Sequence, residues 1–180
     1  MTIVLALGPV ASTPLIAALR EQPDAPGVEA ALATLGRLGG DGARELLLET
    51  VQDRAPYAAA AALAIGDCAD ATSAQPLLLT ATDRLADPTL RAAACATLLR
   101  IGIRSEVRSL VRGILLAGTP HGRELERELG LPRRPRWAYE RYLLQQALRD
   151  AAGEDFGLDT DAPWDAMLAC ADRVDSWLSR

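Results

Sequence analysis

One stretch of this chain occurs twice. Residues 24–39 align without gaps on residues 87–102, so that Asp24, Ala30, Ala31, Ala33, Thr34, Leu35, Arg37 and Gly39 recur as Asp87, Ala93, Ala94, Ala96, Thr97, Leu98, Arg100 and Gly102. An offset of 63 residues corresponds to two units of about thirty. A third copy is therefore expected between them, and Arg54-Ala55-Pro56-Tyr57 followed by Ala58 to Asp67 supplies it in weaker form. A repeat of this length is one supersecondary unit that buries its apolar face only by stacking on its neighbours.

The residue types say what the unit is. Asp suits a helix N-cap, Pro the first helical position, and a terminal Gly the left-handed residue that ends a helix. The Ala-rich interior permits close approach of a neighbouring helix. Each copy is followed by an amphipathic partner, carried by Arg44 to Leu48, Gln75 to Leu79, and Val107 to Leu115. In the last of these, Val107, Leu110, Val111, Ile114 and Leu115 fall on one helical face. The reading is three helix pairs from about residue 24 to 117, preceded by a short helix from Thr13 or Pro14 to about Glu21.

The Asp87 to Gly102 copy resembles the first helix of short bacterial HEAT repeats, whose pattern runs Asp-Pro-x-Val-Arg-x-x-Ala-x-x-Ala-Leu-x-x-Ile/Leu-Gly. Gly153, Asp155, Phe156, Gly157 and Asp159, followed by Trp164, resemble the closing segment of many bacterial HEAT proteins, where a Trp-bearing helix covers the last repeat. The resemblance implies an all-α fold: an α-solenoid of about three HEAT-like pairs over residues 1–118, with an aromatic-rich helical cap over 119–180 in the same continuous domain. All three Trp and the single Phe lie in that last third. The doublet Arg133-Arg134 between Pro132 and Pro135 interrupts helix there. A long helix is expected from about Trp137 to Ala152, and a last one from about Ala162 to Leu178.

Composition narrows the function. Hydrophobic residues make up 49% and aromatics only 4%, as in a folded helical protein rather than a disordered one. No apolar run reaches the roughly 18 residues that span a bilayer. The apolar opening lacks the basic n-region of a secretory signal, its first basic residue being Arg20. With Cys68, Cys95 and Cys170 widely spaced, neither a disulfide framework nor a zinc pattern is expected, and a reducing cytoplasm is the expected compartment.

Catalytic patterns are missing. The one histidine, His121, cannot form paired metal motifs, and no nucleophile elbow or phosphate loop is present. The acids Glu154, Asp155, Asp159, Asp161 and Asp165 do not follow a calcium-loop spacing. No enzyme activity, cofactor or metal is expected.

Charge gives the functional lead. Residues 1–83 carry 4 Arg and 10 acids, residues 84–149 carry 13 Arg and 6 acids, and residues 150–180 carry 2 Arg and 8 acids. Within the basic block Arg104, Arg108 and Arg112 recur every four residues opposite the apolar stripe, and Arg133, Arg134 and Arg136 stand beside Trp137, Tyr139 and Tyr142. The second helices line the concave face of HEAT stacks, which would place the first row in a groove. The expectation is a scaffold that holds an acidic or phosphorylated protein partner through Arg104, Arg108, Arg112, Arg133, Arg134, Arg136 and Trp137. Two alternatives stand beside it: nucleic-acid binding by the basic middle, and pairing of the Arg row with acids of neighbouring repeats.

Overall fold

A computed structural model describes residues 8–134, 137–159 and 162–180; Arg136 and Asp161 fall outside the described residues. The regular elements among the described residues are all helices, with no strand. After a 3-10 turn at Gly8–Ala11 come α1 (Ser12–Glu21), α2 (Val28–Leu38), α3 (Asp41–Gln52), α4 (Ala58–Ile65) and α5 (Ala71–Thr82). Then follow α6 (Pro88–Arg100), α7 (Arg108–Leu116), a 3-10 turn at Pro120–Gly122, α8 (Arg123–Leu129), α9 (Ala138–Ala152) and α10 (Trp164–Leu178). The helices form two compact units, residues 1–76 and 77–180, divided inside α5. The change of texture read at residue 118 lies within the second unit.

In the first unit α1 packs on α2 and α3, and α4 packs on both α2 and α3. Leu32, Leu35, Leu47, Val51, Ala61, Ala62 and Ile65 form its core. A β-carbon placed on Gly36 would lie 2.2 Å from the carbonyl oxygen of Ala64, so the α2 and α4 backbones touch there. The first copy opens differently from the third. Asp24 caps nothing, and α2 starts at Val28 after Gly27 in the left-handed region at φ 89°, because Pro26 and Gly27 stand where the third copy has Thr89 and Leu90. The middle copy, which lacks the Asp-Pro opening, enters its short helix through Arg54 at φ 52°.

The third copy folds as the pattern requires. Asp87 Oδ1 accepts from the amides of Thr89 at 2.8 Å and Leu90 at 3.4 Å, Pro88 is the first residue of α6, and Gly102 follows its end at φ 88°. Every residue of α6 from Leu90 to Leu99 is buried, Ala93 and Ala94 completely. Such a helix tolerates only small or apolar side chains, with one exception. Arg91 is also buried, and its Nε donates to Ala81 O of α5 at 3.0 Å.

Arg141 of α9 reproduces that device. It occupies the same place, four residues after the N-cap, and donates to Leu115 O at 3.1 Å and to Ala117 O at the end of α7. Both guanidiniums satisfy carbonyls that a helix end leaves open. Burial lowers the pKa of each, yet an arginine so basic stays charged.

α9 lies along α6, and the pairs Thr89 with Glu140 and Arg100 with Asp150 make the two helices parallel. α10 lies along α7 in the opposite sense, because Arg108 meets Asp175 while Arg112 meets Asp172. The tryptophans expected to cover the last helices diverge. Trp137 is 1% exposed and Trp177 meets Phe156 edge to face at 5.8 Å, whereas Trp164 is 55% exposed.

Candidate binding pocket

Arg104, Arg108 and Arg112 do not make a free row. α7 begins at Arg108, so Arg104 sits in the turn before it, with its guanidinium 4.1 Å from the centre of the Trp177 ring. Arg108 forks onto Asp175, Nε to Oδ1 at 2.6 Å and Nη2 to Oδ2 at 2.5 Å. Arg112 Nη2 stands 2.8 Å from Asp172 Oδ1. All three guanidiniums are turned onto α10, and the hydrogen bonds from Arg108 hold the Asp175 carboxyl below its ordinary range.

The same compensation runs through the whole second unit. Residues 77–180 contain 15 Arg and 15 acids, whereas residues 1–76 contain 4 Arg and 9 acids, leaving −5 on the first unit. The basic block in the sequence is thus matched by the acidic tail that folds onto it.

Two members of the other predicted group come together with residues the sequence reading passed over. Thr119 Oγ1 donates to Leu116 O at 2.7 Å and accepts from Gly122 N at 3.2 Å, capping the turn Pro120–Gly122. Gly122 is pressed against α7: a β-carbon there would fall 2.1 Å from Leu116 O. This anchored turn launches α8 at Arg123. One turn on, buried Glu126 reaches back to accept from Gly118 N at 2.6 Å. Gly130, at φ 65°, ends α8 and sends the chain into Leu131-Pro132-Arg133-Arg134. The result is a pocket of about 480 Å³ lined by Arg123, Arg133, Arg134, Thr119, Glu126 and Trp164.

Its charges are unequal. Arg134 lies over the Trp137 ring at 4.2 Å, with Nη2 2.5 Å from Glu140 Oε1. That contact lies off the direction of a good hydrogen bond, since Nη2 and Nε of Arg134 remain without a hydrogen-bond partner. Arg123 and Arg133 are exposed and have no carboxylate partner among the described residues. Trp137 underlies the site as a platform for Arg134 and is itself buried; Arg136 lies outside the described residues. Arg123 and Trp164 were missed because α8 is too short to show a helical period and because a Trp at a helix start reads as core.

Chemically, the pocket offers guanidinium forks and an exposed indole face, a combination that binds anions and flat groups. The thiols are a poor source of nucleophiles. Burial pushes Cys95 up to about 12 and raises Cys68 and Cys170 as well, leaving little thiolate near neutrality. His121 Nε2 lies 3.6 Å from the exposed Asp165, across the mouth of the turn. Among the described residues no three His, Cys, Asp or Glu side chains converge as a metal site, and no helix is long and apolar enough to cross a membrane. Compared with protein-family models, with curated proteins and with solved structures, this chain matches none.

Proposed function

We propose that this chain is a non-enzymatic, cytoplasmic scaffold of HEAT-like repeats that holds an acidic or phosphorylated segment of a protein partner. The repeat reading draws support from the capped α6 and from Arg141, which serves the end of α7 as Arg91 serves the end of α5. In this reading α10, running against α7, closes the stack rather than extending it. The contact surface is the pocket of Arg123, Arg133, Arg134 and Trp164, and Arg108 and Arg112 of the predicted row are held by α10 instead. One observation carries the assignment: Arg123 and Arg133, without a carboxylate partner among the described residues, line one pocket with an exposed tryptophan, whereas Arg108 and Arg112 of the predicted row are paired with α10.

Nucleic acid is the second reading, favoured by Trp164, Tyr139 and Tyr142, all exposed on a unit that carries the pocket. The zero net charge of that unit weighs against it, since polyanion affinity rests on neutralising many phosphates. Fluorescence anisotropy separates the two. An acidic phosphopeptide should bind, weaken about tenfold or more in Arg123→Ala/Arg133→Ala, and keep its affinity in Arg108→Ala. An oligonucleotide that binds tighter than the phosphopeptide, with a steep salt dependence, would transfer the assignment to nucleic acid.

A further inference from the structure

The first unit holds a groove on which the proposed pocket does not depend. Leu19 of α1, Val28 and Leu32 of α2 and Leu46 of α3 form its floor, Pro56 and Tyr57 one wall, and it encloses about 230 Å³. The four floor residues are the edge of the core itself, so this is a recess in a packed surface. Its rim is acidic. Asp24, Glu49 and Asp53 line it together with one cation, Arg20, whose Nη2 lies 3.2 Å from Glu49 Oε2 with both side chains about half exposed. An exposed pair of this kind contributes little and exchanges readily for another cation. Asp24 and Asp53 have no basic partner among the described residues.

Size and charge select the occupant. Sites for drug-sized molecules enclose about 300–1,000 Å³, and this recess is smaller; it matches one or two apolar side chains presented by a larger ligand. Around it the unit carries 4 Arg against 9 acids, a field that repels nucleic acid and anionic membranes and attracts cations. A second copy of the chain is the poorer complement, since its unpaired Arg123 and Arg133 line a pocket of their own rather than one face of an amphipathic helix with apolar anchors. We infer that this groove docks a basic amphipathic helix of a partner protein, seating its apolar anchors over Leu19, Val28, Leu32 and Leu46 and its Lys or Arg against Asp24, Glu49 and Asp53. Apolar residues at helical spacing flanked by cations are the chemistry that helix-in-groove recognition reads.

The test uses three labelled helical peptides: one with Leu at i, i+3, i+4 and i+7 and Lys elsewhere, a twin with Glu for Lys, and a twin with Ser for Leu. The Leu/Lys peptide is expected to bind, and each twin to bind at least about tenfold more weakly. Its affinity should fall by about tenfold or more in Asp24→Asn/Asp53→Asn, a variant confined to exposed side chains that leaves the core intact. Amide chemical shifts should move at Leu19, Val28 and Leu46 on titration. Failure of the Leu/Lys peptide to bind, equal binding of the Ser twin, an unaffected double variant, or shifts confined to other residues each overturns the inference. So does concentration-dependent self-association that moves the same amides.

Discussion

The contact between Gly36 and Ala64 gives the fold its sharpest test. Replacing Gly36 by Ala places a methyl group 2.2 Å from Ala64 O and 2.9 Å from Ala64 C, both backbone atoms. Ordinary contact begins near 3.4 Å, so α2 and α4 must separate by about 1 Å. Overpacking of a core costs about 1–3 kcal/mol, and the upper end applies when the obstacle is backbone. Against this, Ala is favoured over Gly within a helix by about 0.5–1 kcal/mol. The net expectation is a loss of about 2 kcal/mol, or roughly 4–8 °C in Tm for a chain of this size. Gly113→Ala supplies the internal control. Its β-carbon meets an obstacle equally near, Leu129 Cδ1 at 2.3 Å, but a side-chain methyl can rotate away for about 0.5–1.5 kcal/mol, which the helical preference of Ala offsets. Urea unfolding followed by circular dichroism should therefore find Gly113→Ala near the parent and Gly36→Ala clearly below it. Equal stabilities for the two variants would refute the backbone contact between α2 and α4.

The remaining expectations concern the second unit. Arg141→Met leaves Leu115 O and Ala117 O without their buried donor and should cost about 1–3 kcal/mol in urea unfolding; an unchanged midpoint would mean that water serves these carbonyls. The Asp175 carboxyl is lowered chiefly by its hydrogen bonds from Arg108, so its contribution is complete above the ordinary carboxylate range and lost as pH falls through the lowered folded value. Acid titration of Trp177 fluorescence should show this release, and Asp175→Asn should remove that component; the same curve in both proteins would disconnect α10 from the pair. Cys95, fully buried with its pKa pushed up to about 12, should resist alkylation in the native protein while half-buried Cys68 reacts first, as read by mass spectrometry. Comparable native rates at the two cysteines would show that α6 opens readily.

Local chemistry was legible, and distant pairing was not. Asp87, Pro88 and Gly102 announce both ends of α6 within fifteen residues of sequence, and the apolar spacing from Val107 to Leu115 fixes the buried face of α7. The same spacing said nothing about what lies opposite Arg108 and Arg112, because their partners Asp172 and Asp175 are about sixty residues away and the direction of α10 depends on a connection with no repeat signature. α8 escaped for another reason: Arg123 to Leu129 is only seven residues long, and Leu125 and Leu129 are its whole apolar face, too little to show a helical period, while Glu126 on Gly118 N helps hold it in place. Arg141 was readable in principle. It stands four residues after its N-cap as Arg91 does, but the Trp137 that precedes α9 hides the correspondence from a search keyed to Asp-Pro.

Charge shows why blocks of sequence are a poor guide to surfaces. A guanidinium held against a carboxylate contributes little field beyond the pair, so five of the thirteen arginines of residues 84–149 are muted where Arg100, Arg108, Arg112, Arg134 and Arg149 meet Asp150, Asp175, Asp172, Glu140 and Asp155. What survives is local in one unit and collective in the other. Arg123 and Arg133 act within about 8–10 Å, the screening length at physiological salt, and so can select a ligand already in place. The −5 of residues 1–76 sums over a whole surface and steers a cation before contact. Salt should therefore slow association at the acidic groove strongly while changing the basic pocket mainly through the few contacts it makes, so the two proposed sites are distinguishable by kinetics even where their affinities coincide.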